Sequence, residues 1–77
     1  MELWIRSQDK LELLKAGNIQ IHEDEDKTIH IWSYGTLKAY LGQYTTKERA
    51  LEVLDEIQNI LIDYSKMSRV VYQMPNE

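Results

Sequence analysis

Apolar and polar residues alternate with a period of two in the middle of the chain. Segments 19–22 (IQIH) and 28–34 (TIHIWSY) alternate on either side of the acidic stretch 23–27 (EDEDK). Two alternating runs joined by a short polar loop are typical of a β-hairpin. Gly35 then turns the chain into 36–44 (TLKAYLGQY), and this pattern predicts a third strand beside the hairpin.

Three other segments have the composition of strands. Residues 2–7 (ELWIRS) favour a first strand that ends in a turn. Residues 11–16 (LELLKA) suit a strand or a helical turn; they are too short for a stable isolated helix, and we favour a strand paired with the first. Residues 69–74 (RVVYQM) have strand chemistry and Pro75 ends them. This last segment is either an ordinary edge strand or one that pairs with a second chain.

After residue 44 the apolar residues recur every three to four positions, which predicts an amphipathic helix over about 46–65. Thr45 is followed by Glu48 at the spacing of a capping box, so we expect the helix to begin there. Its apolar stripe consists of Ala50, Leu51, Val53, Leu54, Ile57, Ile60, Leu61 and Tyr64. The sequence therefore predicts one α+β domain, residues 1–77. It is an antiparallel β-meander of four to six strands with one amphipathic helix packed on one face.

Side chains alternate between the two faces of a strand, so each strand can be divided into two sets. One set is aliphatic, includes Leu37, Ala39 and Leu41, and is the expected partner of the helix. The other set is aromatic and basic, which is unusual for a solvated face and typical of contact surfaces. Its members are Trp4, Arg6, His22, His30, Trp32, Tyr34, Lys38 and Tyr40.

Three interpretations of the aromatic and basic set remain open. The chain itself could cover it, a second copy could, or it could be a site for a different molecule. The last two are compatible, because a dimer cleft lined by Trp, Tyr and Arg is a plausible nucleotide-sized pocket, in which rings stack on a base and cations meet phosphate.

Composition narrows the function classes. The chain has 77 residues, of which 43% are hydrophobic and 29% charged, as in a small globular domain. A net charge of −4 argues against general nucleic-acid binding. There is no cysteine, so no disulfide stabilises the domain, and oligomerisation is a common way for so small a chain to gain buried area. The chain has neither a signal-peptide pattern nor an apolar run of membrane-spanning length, so we expect it to be cytoplasmic and to have no membrane partner.

Catalytic and metal-binding patterns are weak. There is no nucleophile motif and no Gly-rich phosphate loop. The acidic stretch 23–27 lacks the glycine and the distal glutamate of a calcium loop. His22 and His30 flank that stretch, and two histidines without cysteine are weak evidence for zinc. We therefore expect that the chain is not an enzyme and that it binds no cofactor and no metal ion.

Two segments carry a resemblance. MELWIRSQDK at the start and LGQYTTKERALEVLDEIQ (41–58) resemble short, largely uncharacterised proteins of phages and mobile elements of Gram-positive bacteria. The shared pattern is W-I-R-S-Q, then L-G-x-Y, a threonine or serine cap, and E-x-A-x-x-V-L-x-x-I. The resemblance covers roughly a third of the chain and implies a setting rather than a mechanism. Small accessory phage proteins often inhibit host defence stoichiometrically, by blocking a host protein or by sequestering a signalling nucleotide.

Together these observations predict a small binding protein, a homo-oligomer in the host cytoplasm, that counteracts host defence. The favoured hypothesis is capture of a small anionic ligand such as a signalling nucleotide in an aromatic and basic pocket. The alternatives are direct inhibition of a host defence protein and a structural or regulatory accessory role. The expected binding residues are Trp4, Arg6, His30, Trp32, Tyr34, Tyr40, Arg69 and Tyr72.

Overall fold

The computed structural model describes residues 2–64 and 66–77. Within them it contains six strands and one helix, which confirms the predicted α+β fold. The predicted end of the helix at Ser65 lies outside the described residues. In chain order the elements are β1 (Glu2–Arg6), β2 (Leu13–Lys15), β3 (Asn18–Glu23), β4 (Ile29–Tyr34), β5 (Lys38–Tyr44), α1 (Lys47–Asp63) and β6 (Arg69–Gln73).

The strands form two three-stranded sheets rather than one continuous meander. Strands β3, β4 and β5 form an antiparallel sheet in chain order, which we call the hairpin sheet. Strands β2, β1 and β6 form the terminal sheet, in which β1 is central, β2 is antiparallel to it and β6 is parallel to it. The last strand therefore returns to the first, and the two ends of the chain lie in one sheet.

One hydrophobic core joins both sheets and the helix. Strand β4 alternates regularly between buried and half-buried residues, with Ile29, Ile31 and Ser33 inward, as the period of two predicts. Strand β1 contributes Leu3 and Ile5 to the same core. The helix contributes Ala50, Val53 and Ile57. Complete burial of an isoleucine side chain stabilises a fold by roughly 1.5–3 kcal/mol, so these few positions hold the three layers together.

A β-bulge in β5 changes which residues face the core. Ile31 pairs with Gly42 while Trp32 pairs with Tyr40, so Leu41 is an additional residue on its strand. The bulge shifts the alternation by one position, and Leu41 and Tyr44 are both buried, at 1% and 2% exposure. The Tyr44 hydroxyl donates to the carbonyl of Pro75 at 2.8 Å, which ties the C-terminal residues to the sheet.

Gln8 covers the outer edge of β5. Its backbone N–H donates to Leu41 O at 2.8 Å, and its side-chain Oε1 accepts from Gln43 N at 2.9 Å. Its Nε2 donates to Gln43 O at 2.9 Å and to the carbonyls of Pro75 and Asn76. A Cβ at Gly42 would lie 3.0 Å from the Gln8 Cβ, so the small residue admits this contact.

The predicted helix start is wrong by one residue. The N-cap is Thr46, whose Oγ1 accepts from the Arg49 N–H at 3.1 Å, and the capping box from Thr45 to Glu48 is not formed. Glu48 is instead the second helical residue, where its charge still suits the positive end of the helix dipole.

One residue of the predicted aliphatic set and part of the predicted helix stripe are exposed. Leu37 is 82% exposed, because β5 begins only at Lys38 and the alternation does not extend into the preceding turn. Leu51 and Leu61 on α1 and the C-cap residue Tyr64 are between 44% and 49% exposed, so the buried stripe is narrower than predicted. Ile62, which is not part of the predicted stripe, is 62% exposed. In the described part of the chain, no helix has the length and apolar character that crossing a membrane requires.

Candidate functional site

The outer face of the hairpin sheet carries a group of neighbouring rings that we call the aromatic surface. The strand register explains how they meet, because paired residues point to the same side of a sheet. Trp32 on β4 pairs with Tyr40 on β5, Tyr34 pairs with Lys38, and His30 pairs with His22 on β3. The aromatic surface consists of His22, His30, Trp32, Tyr34, Lys38 and Tyr40.

Trp32 lies at the centre of this surface. Its ring meets the Tyr40 ring edge to face, with centroids 5.1 Å apart. The Lys38 ammonium lies 4.4 Å from the Trp32 ring centroid and 5.4 Å from that of Tyr34, within the range of cation–π attraction. Trp32 and Tyr34 are half-buried, whereas Tyr40 is 38% exposed, so the surface is partly covered by its own side chains.

Hydrogen bonds fix the two histidines. The Thr28 hydroxyl donates to Asp26 Oδ1 at 2.6 Å, so its oxygen accepts from His30 Nε2 at 3.0 Å. Asp24 Oδ2 also lies 3.0 Å from His30 Nε2, and both contacts require a proton on that nitrogen. The His30 ring in turn packs against Tyr40, with centroids 5.4 Å apart. These contacts within the chain hold the His30 ring in place against Tyr40.

The second histidine is held from the opposite side of the surface. His22 Nε2 lies 3.3 Å from the Tyr34 hydroxyl and 3.1 Å from Gln20 Oε1. The rings of His22 and Tyr34 are 5.8 Å apart. This second contact group extends the surface across all three strands of the hairpin sheet.

Acidic side chains border the aromatic surface. Burial raises the pKa of the Tyr40 hydroxyl, and the nearby carboxylates of Asp9 and Asp24 raise it further. The pKa of Asp26 is lowered, chiefly by the hydrogen bonds that it accepts from Thr28. Lys38 is the one lysine or arginine in the aromatic surface as defined. The positive charge of the surface is therefore small compared with the negative charge of the carboxylates that border it.

Four of the eight predicted binding residues lie together on this surface: His30, Trp32, Tyr34 and Tyr40. Lys38 and His22 belong with them, as the alternation indicated. The acidic border was not predicted. Asp24 follows directly after β3 and Asp9 follows β1, so their positions in turns beside the strands were the available signal.

The other four predicted residues lie elsewhere. Trp4, Arg6 and Arg69 are on the outer face of the terminal sheet. There the Trp4 indole N–H and the Arg69 Nε both donate to Glu2 Oε1, at 3.3 Å and 3.2 Å. The Arg6 Nε donates to the Lys10 carbonyl at 2.7 Å. These arginines are therefore not beside Trp32.

Tyr72 points toward the helix instead of outward. It packs against the core and its hydroxyl donates to the carboxylate of Glu56 on α1. Burial raises the pKa of Tyr72 strongly, and the hydrogen bond to Glu56 raises it further. Its role in the described structure is to connect β6 to α1.

Two grooves lie outside the centre of the aromatic surface. One of about 530 Å³ runs between β2 and the turn from β4 to β5, and Lys38 borders both this groove and the aromatic surface. The other, of about 440 Å³, lies where α1 ends beside β6. Neither is lined by Trp32, Tyr34 or Tyr40. Among the residues described, no group of three or more His, Asp or Glu side chains is arranged to hold a metal ion.

Comparison of the chain with protein-family models, with curated proteins and with solved structures finds no match.

Proposed function

We propose that this chain is a non-enzymatic binding protein that acts by binding a partner protein through the aromatic surface. The observation that carries the proposal is the pairing of Trp32 and Tyr40 beside Lys38, with the carboxylates of Asp9 and Asp24 at the border. Rigid aromatic side chains with a charged border are characteristic of protein contact surfaces.

The shape of the surface supports a protein partner. Small ligands are usually bound in concave pockets that cover most of their area. The two grooves are lined by other residues, and the rings of Trp32, Tyr34 and Tyr40 lie side by side on the outside of a sheet. A macromolecular surface can cover such an area, and the prior ordering of the rings reduces the entropy lost on binding.

The charges indicate what kind of protein surface would fit. The chain has a net charge of −4, and Asp9 and Asp24 are close enough to influence Tyr40. A lysine or arginine from the partner can lie over an aromatic face and meet one of these carboxylates. We therefore propose a basic patch on the partner, and we expect added salt to slow association.

The resemblance to short proteins of phages and mobile elements supports a setting for this binding. In that setting the chain inhibits a host defence protein stoichiometrically, in the cytoplasm of the host cell, and as a homo-oligomer. The burial of Ser7 and Ser33, whose hydroxyls bond to neighbouring groups, supports a non-enzymatic role, because neither is presented as a nucleophile.

The test is an affinity capture from host lysate with matched tryptophan variants. The wild-type chain and Trp4→Ala are expected to retain the same host protein at a fixed stoichiometry, whereas Trp32→Ala and Tyr40→Lys are expected to lose it. Circular dichroism of each variant establishes that it is folded. Equal retention by Trp32→Ala, Tyr40→Lys and the wild type would contradict the proposal.

Capture of a small anionic ligand is a second candidate, and the position of Lys38 favours it. An ammonium 4.4 Å from the Trp32 ring centroid offers one cation beside a stacking platform. Arg6 and Arg69, which the sequence suggested as further cations, lie in the terminal sheet, so this candidate rests on a single lysine. Calorimetry against cyclic and adenosine-containing nucleotides tests it. Binding that is lost in Lys38→Ala would support capture, and an absence of heat across the panel would reject it.

A further inference from the structure

Strand β6 is an edge strand of the terminal sheet, and the backbone groups of three of its five residues point away from β1. Glu2 N donates to Ser68 O at 2.9 Å, and Met74 N donates to Arg6 O at 3.0 Å. In a parallel pair, alternate residues of a strand direct both N–H and C=O to the same neighbour. Val70 and Tyr72 therefore bond to β1, whereas the groups of Arg69, Val71 and Gln73 point outward.

The outer edge of β6 is less protected than the edges of β5 and β2. Gln8 covers the edge of β5, and β2 has only three residues. Across residues 2–64 and 66–77, no strand pairs with the outer edge of β6. Natural edge strands usually carry a central charge, a proline or a bulge that prevents pairing. Here the central residue is Val71, which is 59% exposed, and Pro75 follows only after the strand has ended.

We propose that β6 pairs antiparallel with β6 of a second copy of this chain, about a two-fold axis at Val71. The three outward residues are spaced symmetrically about Val71, so one copy supplies a donor or acceptor for every outward group of the other. Val71 pairs with Val71, and Arg69 pairs with Gln73 in each direction. The result is a continuous six-stranded sheet with six new backbone hydrogen bonds.

The side chains fit this pairing without charge conflict. Like charges directly opposite each other destabilise a strand pair, and Arg69 is the only charged residue in β6. The two-fold axis places it opposite Gln73, whose Nε2 already donates to the carbonyls of Ser7 and Met74. The Gln73 Oε1 can then accept from Arg69. The exposed Val71 side chains cover each other on the outer face.

An apolar area lies beside the same edge and would enlarge the contact. The groove at the end of α1 is lined by Ile60, Tyr64, Met67, Arg69, Val70 and Val71. Tyr64 and Met67 are each about half exposed. A specific interface buries roughly 800 Å² per partner. Such an interface involves roughly 20–30 residues a side, so the five residues of β6 need this apolar area in addition. The aromatic surface, in the other sheet, is not used.

Mass measurement in solution tests the proposal. Light scattering and sedimentation of the wild-type chain are expected to give a dimer that dissociates on dilution. Val71→Lys places two lysines opposite each other and is expected to weaken the dimer at least about tenfold. Leu37→Lys is the matched control, because Leu37 is 82% exposed and lies outside β6. A wild-type monomer at all concentrations, or a dimer that Val71→Lys leaves unchanged, would overturn the proposal.

Cysteine cross-linking tests the register separately from the affinity. The chain contains no cysteine, so a single introduced thiol is unambiguous. Residues opposite each other in a hydrogen-bonded antiparallel pair have Cα atoms about 5.5 Å apart, a separation that a disulfide spans. Under mild oxidation Val71→Cys is expected to form a covalent dimer, and Gln73→Cys alone is expected not to. Efficient cross-linking of Gln73→Cys with none from Val71→Cys would exclude the two-fold axis at Val71.

Discussion

The outer faces of the two sheets differ in how their side chains are held. On the hairpin sheet, rings pack against rings and Lys38 lies over Trp32. On the terminal sheet, Trp4 stands alone among charged groups, and Glu2 accepts hydrogen bonds from Trp4 and Arg69 and pairs with Lys15 at 3.4 Å. A partner that approaches the first face meets ordered rings. A partner that approaches the second meets exposed charges that water already solvates.

This difference bears on function, because exposed ion pairs contribute little to binding whereas ordered aromatic groups often contribute most of it. Both faces contain one tryptophan, so tryptophan content alone does not distinguish them. What distinguishes them is the neighbour on the adjacent strand: Tyr40 beside Trp32, but Lys15 and Val71 beside Trp4. Four predictions, from the largest expected effect to the smallest, test this contrast.

The largest effect is expected where the chain passes from one sheet to the other. A Cβ at Gly17 would overlap the backbone of Tyr34, with its carbonyl carbon only 2.8 Å away. The Gly17 N–H also donates to Ser33 Oγ at 2.9 Å. Gly17→Ala is therefore expected to cost about 3 kcal/mol, at the upper end for overpacking, because a backbone contact cannot move aside as a side chain can. Urea unfolding followed by circular dichroism measures the loss.

Gly35→Ala is the matched control for Gly17→Ala. A Cβ there would meet only the Gly17 Cα, at the ordinary distance of 3.8 Å, and its φ angle is not positive. We expect a change within about 0.5 kcal/mol. Equal losses in the two variants would show that the contact between Gly17 and Tyr34 does not hold the two sheets in their arrangement.

The second prediction concerns the inner face of the hairpin sheet, behind the aromatic surface. Burial raises the pKa of Tyr44 to about 12 from an ordinary value of 10.0. A raised pKa means that the folded state favours the neutral hydroxyl, so this stability is complete below pH 10 and is lost as the pH rises through 12. Each pH unit in that window can cost up to about 1.4 kcal/mol per proton.

Tyr44→Phe is expected to reduce the alkaline loss of stability while costing about 1 kcal/mol at neutral pH, because the hydrogen bond to Pro75 is removed. Tyr72, whose pKa is also raised, accounts for part of the alkaline loss of stability that remains in Tyr44→Phe. Urea unfolding at several pH values from 7 to 12 compares the two chains. Parallel stability curves would contradict a contribution from Tyr44.

The sequence predicted the faces of the strands well and their arrangement into sheets less well. Alternation placed Trp4 and Trp32 in one set, because odd and even positions along a strand face opposite sides of its sheet. Alternation does not tell which strands share a sheet. Here the grouping of the strands depends on the return of β6 to β1. The rings of His30, Trp32, Tyr34 and Tyr40 lie together, as alternation indicated, because all four residues lie on two adjacent strands joined by a short turn. Their role in binding stays a prediction.

The β-bulge also lay beyond sequence reasoning. It arises where Leu41 enters as an additional residue opposite Ile31 and Trp32, and strict alternation gives no sign of it. The segments WIRSQ and LGQY contact each other at this point, since Gln8 covers Gly42 and Gln43. These contacts thus support the edge of β5, the strand that carries Tyr40.

The third prediction measures the packing that distinguishes the aromatic surface. A double-mutant cycle of Trp32→Ala and Tyr40→Ala is expected to give a coupling energy of about 0.5–1.5 kcal/mol, as found for edge-to-face pairs. The cycle of Trp4→Ala and Tyr40→Ala is the control, because the two residues lie in different sheets and their effects should add within about 0.5 kcal/mol. Coupling of Tyr40 to Trp4 rather than to Trp32 would contradict the two separate faces. It would favour a single continuous face that carries both tryptophans, as alternation alone suggests.

The smallest effect is expected from Glu2→Gln on the terminal sheet. The hydrogen bond from Trp4, followed by those from Arg69 and Lys15, lowers the pKa of Glu2 below its ordinary value of 4.5. A lowered pKa stabilises the fold above pH 4.5, and that contribution is lost as the pH falls further. Because these groups are largely exposed, solvent and salt screen them, and the variant should be only slightly less stable at pH 7. Unfolding at low and high salt, and at pH 7 and pH 3, should show the small difference shrinking with added salt and with acid. A loss as large as that of Gly17→Ala, and insensitive to salt, would mean that the charged face holds its residues as firmly as the aromatic one. The contrast between the two faces would then no longer favour the aromatic surface as the proposed binding surface.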